Sequence, residues 1–180
     1  VFVPMDAVEA RKATVAAASL WGPVYIRLGR EKTPSMTTDE TPFTPGKAEL
    51  LWDGKKPEVA IIGCGSLLYN ALLAARELEK EKISVLVINS HTVKPLDEEA
   101  ILAAAKSAGA VVTVEEHQVM GGLGGAISEL LARKLPTPME FIGMQNTFGE
   151  SGAPSELIEK YGMGAKDIIA AVKKVIKRKK

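Results

Sequence analysis

The chain has 180 residues, enough to bury one good hydrophobic core and to hold one domain with a fragment of another. With 46% hydrophobic and 25% charged residues it has the composition of an ordinary globular protein, and 23 basic against 22 acidic residues give a net charge of +1. That balance excludes a global field favouring nucleic acid or an anionic membrane, so neither is expected as a partner. A single cysteine excludes an internal disulfide, and without a long apolar run or a signal-peptide pattern we expect a cytoplasmic protein.

The N-terminal part of the chain predicts a strand end, a helix and a strand. Val1–Pro4 has the pattern of a strand already under way, and a helix over 6–19 begins with Asp6 and Glu9 as a capping-box-like pair. Residues 24–28 place apolar side chains on one face, as a strand does. Because the chain begins inside a strand and without an initiator methionine, we expect it to be a segment of something larger.

A change of composition separates this part from the rest. Residues 31–45 are rich in Thr, Pro, Ser and Asp and have no helical or strand period, as an interdomain linker does. After it, apolar runs at 48–52 and 58–62 flank Asp53-Gly54, a dipeptide typical of tight hairpins. We therefore expect a domain boundary at 31–45, followed by a β-hairpin that adds an antiparallel edge strand.

Strands and helices alternate strictly over the remaining chain. Apolar strands are predicted at 59–62, 83–89, 110–115 and 139–143, and helices at 66–81, 97–107, 123–135, 154–161 and 165–176. Continuous apolar strands that alternate with helices indicate a parallel sheet covered on both faces. The predicted fold is an α/β three-layer sandwich with a mostly parallel five-stranded sheet and one antiparallel edge strand. The final KKVIKRKK is expected to be the solvated end of the last helix.

Two glycine-rich stretches are candidates for phosphate loops. Gly121–Gly125 lacks the third glycine of a dinucleotide fingerprint, begins late after its strand, and has its acidic candidate, Glu140, inside the next strand. Gly63-Cys64-Gly65 lies directly between a strand and a helix, but Leu68 stands at the third glycine position and Asn89 where an acidic residue would hold a ribose. We expect a close-packing turn at the first stretch. A stand-alone nucleotide-binding regulatory module built on the second is an alternative, as is a pure interaction domain.

Three other side chains have reactive chemistry. Cys64 lies at a predicted helix start, which favours a thiolate, but the lack of a histidine nearby in sequence favours a small buried residue. His91 and His117 follow strands at the edge where α/β proteins bind ligands, yet no metal-ligand spacing joins them, and loop histidines bonded to backbone are the alternative. The sequence has no nucleophile elbow and no Walker loop. We therefore expect no metal site and assign no role to these three residues.

Two arginines lie near the predicted domain junction. In GPVYIRLGREKTP, Arg27 lies on the predicted strand and Arg30 at its tip, just before the linker. A guanidinium at a strand tip between two domains is well suited to a phosphate or a carboxylate. An ordinary surface arginine is the alternative, and the residues alone leave both open.

The chain resembles the C-terminal part of a transketolase over nearly its whole length. The resemblance rests on VPMDAVEARKA, GPVYIRLGRE, GKAELLWDGKKPEVAIIGCGSLLYNAL, VINSHTVKPLDEEAI, VTVEEHQVMGGLGGAISELL and NTFGESGAPSELIEKYGM, in that order. It implies that residues 1–30 are the tail of the pyrimidine-binding domain, 31–45 a linker and 46–180 the C-terminal domain. EEHQVMGGLG and TFGESG are most similar to transketolases made as two polypeptides. The 1-deoxyxylulose-5-phosphate synthases and the thiamine-dependent subunits of 2-oxoacid dehydrogenases share the domain and are alternatives.

The resemblance implies a function for a complete enzyme and a limited part in it for this chain. Transketolases use thiamine diphosphate and Mg²⁺ to transfer a two-carbon ketol unit between sugar phosphates of the pentose phosphate pathway. The family's activating glutamate and its diphosphate- and metal-binding motif do not occur here. No catalytic, cofactor-binding or metal-binding residue is therefore expected in this chain, which should be inactive alone. Its expected role is assembly with an N-terminal subunit or domain and homodimerisation through the C-terminal domain.

The resemblance also implies roles for individual residues. The pattern from Gly22-Pro23 to Arg30 matches the family segment whose arginine binds the sugar phosphate. Arg30 is therefore the expected substrate-binding residue, with Arg27 as the weaker second. Gly124 and Gly125 are expected to let the following helix lie close to its strand.

Overall fold

The computed structural model describes residues 1–179. Lys180, the last residue of the predicted C-terminal domain and of the basic run, lies outside the described residues. The elements in chain order are α1 (Ala7–Ala18), β1 (Glu49–Asp53), β2 (Val59–Gly63), α2 (Leu68–Lys80), β3 (Val85–Asn89), α3 (Glu98–Ala108), β4 (Val111–Gln118), α4 (Leu123–Lys134), β5 (Met139–Met144), α5 (Pro154–Lys160) and α6 (Ala165–Ile176). No helix within residues 1–179 is long and apolar enough to cross a membrane.

The strands form one five-stranded sheet in the order β1-β3-β2-β4-β5. Strands β2 to β5 are parallel, and β1 runs antiparallel to β3 at one edge. The predicted mostly parallel sheet with one antiparallel edge strand is therefore confirmed.

The predicted hairpin at Asp53-Gly54 is wrong. β1 pairs with β3, with Glu49 opposite Asn89, whereas β2 lies between β3 and β4 and has no free edge. All five residues of β2 are buried, which suits the centre of a sheet covered on both faces. The Gly54 N–H donates to Val85 O (3.1 Å), so the turn carries the chain past the start of β3.

Two hydrophobic cores lie on opposite faces of the sheet. One packs beneath α2 and α6 and the other beneath α3 and α4. Ile61 and Ile62 of β2 belong to different cores, because successive side chains of a strand point to opposite faces. This arrangement is the predicted three-layer sandwich.

The N-terminal residues lie against this domain. The predicted strand at 24–28 is wrong in extent, since only one parallel bridge, to Phe2, is present there. Phe2 also forms an antiparallel bridge to Thr92. The segment around Phe2 thus pairs with two neighbouring segments through one bridge each, and neither pairing extends into a strand ladder. Val3 and Met5 are buried, one in each core. Residues 2–5 are therefore buried against the sheet and its helices.

Residues 31–45 contain no helix or strand, but they are held against α1. The Asp6 carboxylate accepts hydrogen bonds from Met36 N (2.7 Å), Thr37 N (2.6 Å) and Thr37 Oγ1 (2.7 Å). The same carboxylate caps α1 by accepting from Glu9 N (2.9 Å). One buried acid thus fixes both the helix start and the segment that follows the arginines.

The basic C-terminus is bonded to the protein. Lys179 Nζ donates to Ala108 O (2.7 Å), at the end of α3, and to Glu58 O (2.8 Å). Arg178 Nη1 donates to Met139 O (2.6 Å) at the start of β5. The expected solvated end holds for Arg178, whose side chain is half-exposed, whereas Lys179 is partly buried and donates to carbonyl groups at element ends.

Candidate functional site

A cleft of about 500 Å³ lies between the N-terminal part of the chain and the sheet. Residues between Val3 and Ala10 and between Arg27 and Thr33 form one side, and Gly65, Ser66 and Glu116 form the other. Gly65 and Ser66 follow β2, and Glu116 lies near the end of β4. Open α/β sheets bind ligands beyond the carboxyl ends of their strands, so this cleft is the candidate site.

Cationic and acidic side chains line the cleft in equal number. The cations are Arg27, Arg30 and Lys32, and the acids are Asp6, Glu31 and Glu116. Because the formal charges balance, recognition of an anion here depends on directed N–H donors more than on a general positive field.

Arg30 follows the single bridge at Ile26, in place of the tip of a longer strand that the sequence predicts, and is exposed along the cleft. Within residues 1–179 its side chain makes no hydrogen bond or ion pair. Its guanidinium therefore has its donors available for an anion that enters the cleft.

Arg27 lines the same cleft but is bonded to the protein. Its Nη2 donates to Glu116 O (2.7 Å), and the Glu116 carboxylate accepts from Ser66 Oγ (2.8 Å). Arg27 also borders a second cleft of about 180 Å³ that includes His117 and Gly122. The fold thus brings the two predicted arginines to one cleft, with different surroundings.

The glycine turn after β4 has its anion position filled by the protein. Glu115 is buried, and its carboxylate accepts from Leu123 N (2.7 Å) and Gly124 N (2.7 Å) at the start of α4. Burial raises the pKa of Glu115, and the two backbone N–H groups oppose this rise. Glu115 therefore takes the place that a phosphate would need at this helix N-terminus. In the sequence, the only sign of this interaction is that an acidic residue at a predicted strand end precedes a glycine-rich stretch.

The glycines of this turn differ in how much space each has for a side chain. A Cβ at Gly124 would lie 2.7 Å from Thr113 Oγ1 and 2.8 Å from Phe141 Cδ1, so the close packing predicted there is confirmed. A Cβ at Gly125 would make an ordinary contact at 3.4 Å, so the prediction is wrong for that residue. Gly122, which the sequence did not single out, has no room for a Cβ because the Glu115 carboxylate occupies the space.

The turn after β2 also has its amides bonded. Cys64 N donates to Val114 O (3.2 Å) and Gly65 N donates to Val3 O (3.2 Å). Gly65 has φ of 70°, a left-handed conformation that favours glycine. Cys64 is buried, and burial raises the pKa of its thiol, so the small buried residue is the correct interpretation and the thiolate is wrong.

The two histidines have different surroundings. His91 is fully buried, stacks on Phe43 with ring centroids 4.2 Å apart, and has Nδ1 3.0 Å from Thr92 Oγ1. Burial lowers its pKa to about 4, so it is a neutral packing residue near pH 7. His117 is half-exposed, with Nδ1 2.9 Å from Gln118 O. In the described part of the chain, no three His, Cys, Asp or Glu side chains are grouped to hold a metal ion.

A buried acid beside the cleft was missed at the sequence level. Glu9 is 2% exposed and accepts from Met5 N (2.6 Å) and from Asn89 Nδ2 (2.7 Å) at the end of β3. Burial raises the pKa of Glu9 to about 7, and the charges of Asp6 and Glu49 add to the rise. Asn89 Oδ1 is buried without a hydrogen-bond partner. The sequence pattern identifies Glu9 only as a residue at the start of a helix, because its partner Asn89 lies 80 positions away in the chain.

Comparison with known proteins gives a consistent result. The family model described as "Transketolase, C-terminal domain" matches residues 46–168. The chain is 43% identical over 179 residues to the 6-deoxy-6-sulfo-D-fructose transketolase subunit SqwH of Clostridium sp. (strain MSTE9), covering 99% of this chain and 55% of that protein. It is 34% identical over 177 residues to transketolase of Homo sapiens, covering 98% of this chain and 28% of that protein. The chain thus spans about half or less of the length of these relatives.

Two solved structures are similar to this chain. A split gene transketolase, described as an inactive beta4 tetramer, has a TM-score of 0.95 and 43% identity over 99% of this chain and 58% of its own. The transketolase from Campylobacter jejuni subsp. jejuni NCTC 11168 has a TM-score of 0.74 at 24% identity, over 96% of this chain and 26% of its own, which shows the fold alone.

Proposed function

Because this chain belongs to the transketolase family, we propose that it is the C-terminal part of a transketolase whose Arg30 binds the terminal anion of a sugar substrate. The complete enzyme transfers a two-carbon ketol unit between such sugars. The observation that carries the proposal is the cleft at the strand ends, where Arg30 offers a guanidinium with no partner within residues 1–179.

The proposed organisation places residues 1–30 in the tail of a pyrimidine-binding domain, 31–45 in a linker and 46–180 in the C-terminal domain. The proposed partners are an N-terminal subunit or domain and a second copy, joined through the C-terminal domain. The names of two similar proteins, a split gene transketolase and a transketolase subunit, support the two-polypeptide form. We place the enzyme in the cytoplasm and in the pentose phosphate pathway.

Thiamine diphosphate and Mg²⁺ are proposed for the complete enzyme, held outside this chain. Residues 1–179 do not fit these groups. Leu123 N and Gly124 N, at the turn after β4, already donate to the Glu115 carboxylate, and Cys64 N and Gly65 N, at the turn after β2, already donate to backbone carbonyls. The isolated chain is therefore proposed to be catalytically inactive.

The anion itself has two candidate chemistries. A sugar phosphate is the substrate that the family resemblance implies. The name of the SqwH relative gives a sulfonated sugar, and that relative is 43% identical over 99% of this chain. Both groups present oxygen acceptors to a guanidinium, so Arg30 serves either one, and assays with each sugar decide between them.

The test uses the complete assembly with Arg30→Ala. Losing a charge-assisted contact of about 1.5–3 kcal/mol should raise KM for xylulose 5-phosphate roughly ten- to hundredfold. Xylulose, which lacks the phosphate, should be unaffected, as should Arg76→Ala on the exposed side of α2. A parallel series with 6-deoxy-6-sulfofructose tests the sulfonate. An unchanged KM for both anionic sugars contradicts the role of Arg30, and turnover by the chain alone contradicts its inactivity.

The alternative functions have tests of their own. Product analysis with pyruvate as donor separates transketolase from 1-deoxyxylulose-5-phosphate synthase and the 2-oxoacid dehydrogenases. Calorimetric titration with NAD, ATP and AMP tests the stand-alone nucleotide-binding module. Micromolar binding that Gly65→Val abolishes would favour that module, since a side chain there blocks the approach of a phosphate.

A further inference from the structure

Few bonds hold the segment that carries Arg30. Residues 23–30 are tied by backbone hydrogen bonds to the N-terminal strand end, where Phe2 N donates to Tyr25 O (2.9 Å) and Arg27 N donates to Phe2 O (2.8 Å). They do not join the main sheet, and Tyr25 is 63% exposed. Backbone pairing and apolar packing therefore leave the position of Arg30 relative to β4 weakly determined.

One side chain supplies the missing connection. Arg27 Nη2 donates to Glu116 O on β4 (2.7 Å), and the Glu116 side chain is held by Ser66 Oγ (2.8 Å). In the part of the chain that the structure describes, this is the only side-chain hydrogen bond between residues 23–30 and the domain that follows the linker. The bond is charge-assisted and its acceptor is a backbone carbonyl of a strand, so it connects the segment to a fixed part of the sheet.

We propose that Arg27 is a positioning residue: it holds the segment against β4 and thereby sets the affinity of Arg30 for the substrate anion, without touching that anion. The proposal rests on the proposed function, in which Arg30 is the anion ligand. It assigns different roles to two arginines that sequence reasoning placed together as substrate ligands. Arg27 lies on the border of two clefts with one donor engaged by Glu116, whereas Arg30 has its donors available.

The test is a double-mutant cycle in the complete assembly with Arg27→Met, Arg30→Ala and the pair. Donors are xylulose 5-phosphate and the matched neutral sugar xylulose, with glycolaldehyde as a neutral acceptor. Arg27→Met should raise KM for the phosphorylated donor about tenfold and leave kcat within about twofold. It should leave KM for xylulose unchanged, which also reports that the variant is folded. Arg27→Lys keeps one N–H donor and should recover part of the affinity.

The cycle separates positioning from direct contact. If Arg27 acts through Arg30, Arg27→Met should add less than about twofold to KM when Arg30 is already Ala. An equal fold-change in both backgrounds means that Arg27 binds the anion itself and overturns the proposal. The proposal is also overturned if Arg27→Met leaves KM for the phosphorylated donor unchanged while Arg30→Ala raises it. If Arg30→Ala changes nothing, the proposed function fails first and Arg27 has no ligand to position.

Discussion

Glu9→Gln should remove a pH dependence of stability that the buried carboxyl imposes on the fold. Burial is the main reason that the pKa of Glu9 rises from its ordinary 4.5 to about 7, and bonds from Met5 N and Asn89 Nδ2 oppose the rise. Below pH 4.5 the carboxyl is protonated in both folded and unfolded chains, and the fold carries no penalty from it. Between pH 4.5 and 7 the unfolded chain loses the proton while the folded chain keeps it, so stability falls as pH rises.

The size of the effect follows from the same shift. At about 1.4 kcal/mol per pKa unit, the rise of the Glu9 pKa corresponds to a loss of about 3 kcal/mol once the pH exceeds the folded value. The glutamine side chain of the variant is neutral at every pH and has nearly the same shape as the glutamate. The oxygen of the introduced glutamine can accept from Met5 N. If the Asn89 amide rotates by about half a turn, its Oδ1, which has no partner in the wild type, can accept from the NH₂ of that glutamine. The variant should therefore keep both contacts and lose the penalty.

The assay is urea unfolding of the wild type and Glu9→Gln at pH 4.5, 6, 7 and 8.5, followed by circular dichroism. His91 makes a difference measurement necessary, because burial lowers its pKa from 6.5 to about 4 and its contribution to stability falls as pH drops over that range. The slopes from Glu9 and His91 therefore oppose each other in the wild type. The free energy of unfolding of the variant minus that of the wild type should increase by about 3 kcal/mol from pH 4.5 to pH 8.5.

A difference that stays constant with pH would refute the reasoning, whatever its sign, because it would show that Glu9 titrates alike in both states. Glu79→Gln, at an exposed position on α2, is the matched control. It removes a carboxylate of the same kind without burial, so its difference from the wild type should stay within about 0.5 kcal/mol across the series.

Three further stability predictions rest on single contacts. Glu115→Ala removes the acceptor of two N–H groups at the start of α4 and should cost about 1–2 kcal/mol in urea unfolding. Gly124→Val should cost more than about 2 kcal/mol, whereas Gly125→Ala, in the same turn, should be neutral or stabilising by up to about 1 kcal/mol. A reversed order would contradict the close packing at Gly124. Lys179→Met should cost about 1 kcal/mol through its bonds to Ala108 O and Glu58 O, and Lys177→Met, exposed, should cost nothing measurable.

The sheet and its helices could be predicted because the strands are buried on both faces. A run such as VAIIG is apolar at every position only when helices cover both sides, and all five of its residues are buried. The predicted hairpin is wrong because it relied on a local turn signal instead of on the burial of the strands. Asp53-Gly54 is a local signal, but β2 already has β3 and β4 as neighbours, and the long-range pairing outweighs the turn.

The polar contacts at the candidate site depend on partners distant in sequence. Glu9 meets Asn89 and Arg27 meets Glu116, 80 and 89 residues away. Residue type and spacing placed Arg27 on a predicted strand and Arg30 at its tip, next to the expected domain junction. Residue type and spacing could not show which guanidinium would donate to the protein, because the acceptor, Glu116 O, is a backbone carbonyl and every residue has one.

The same contacts bear on how the N-terminal segment is joined to the domain. Val3 and Met5 are buried, one in each core, and burial of such a side chain contributes about 1.5–3 kcal/mol, so residues 1–5 are anchored by apolar packing. Residues 23–30 have no such apolar anchor and are held by two backbone hydrogen bonds to Phe2 and by the side-chain bond from Arg27 to Glu116 O. Because apolar packing holds residues 1–5 and a few hydrogen bonds hold residues 23–30, a displacement of the Glu116 backbone carbonyl should move Arg30 without unfolding the domain. The cleft therefore lies between the N-terminal residues and the sheet, and residues 36 and 37 beside it are held to the start of α1 through Asp6.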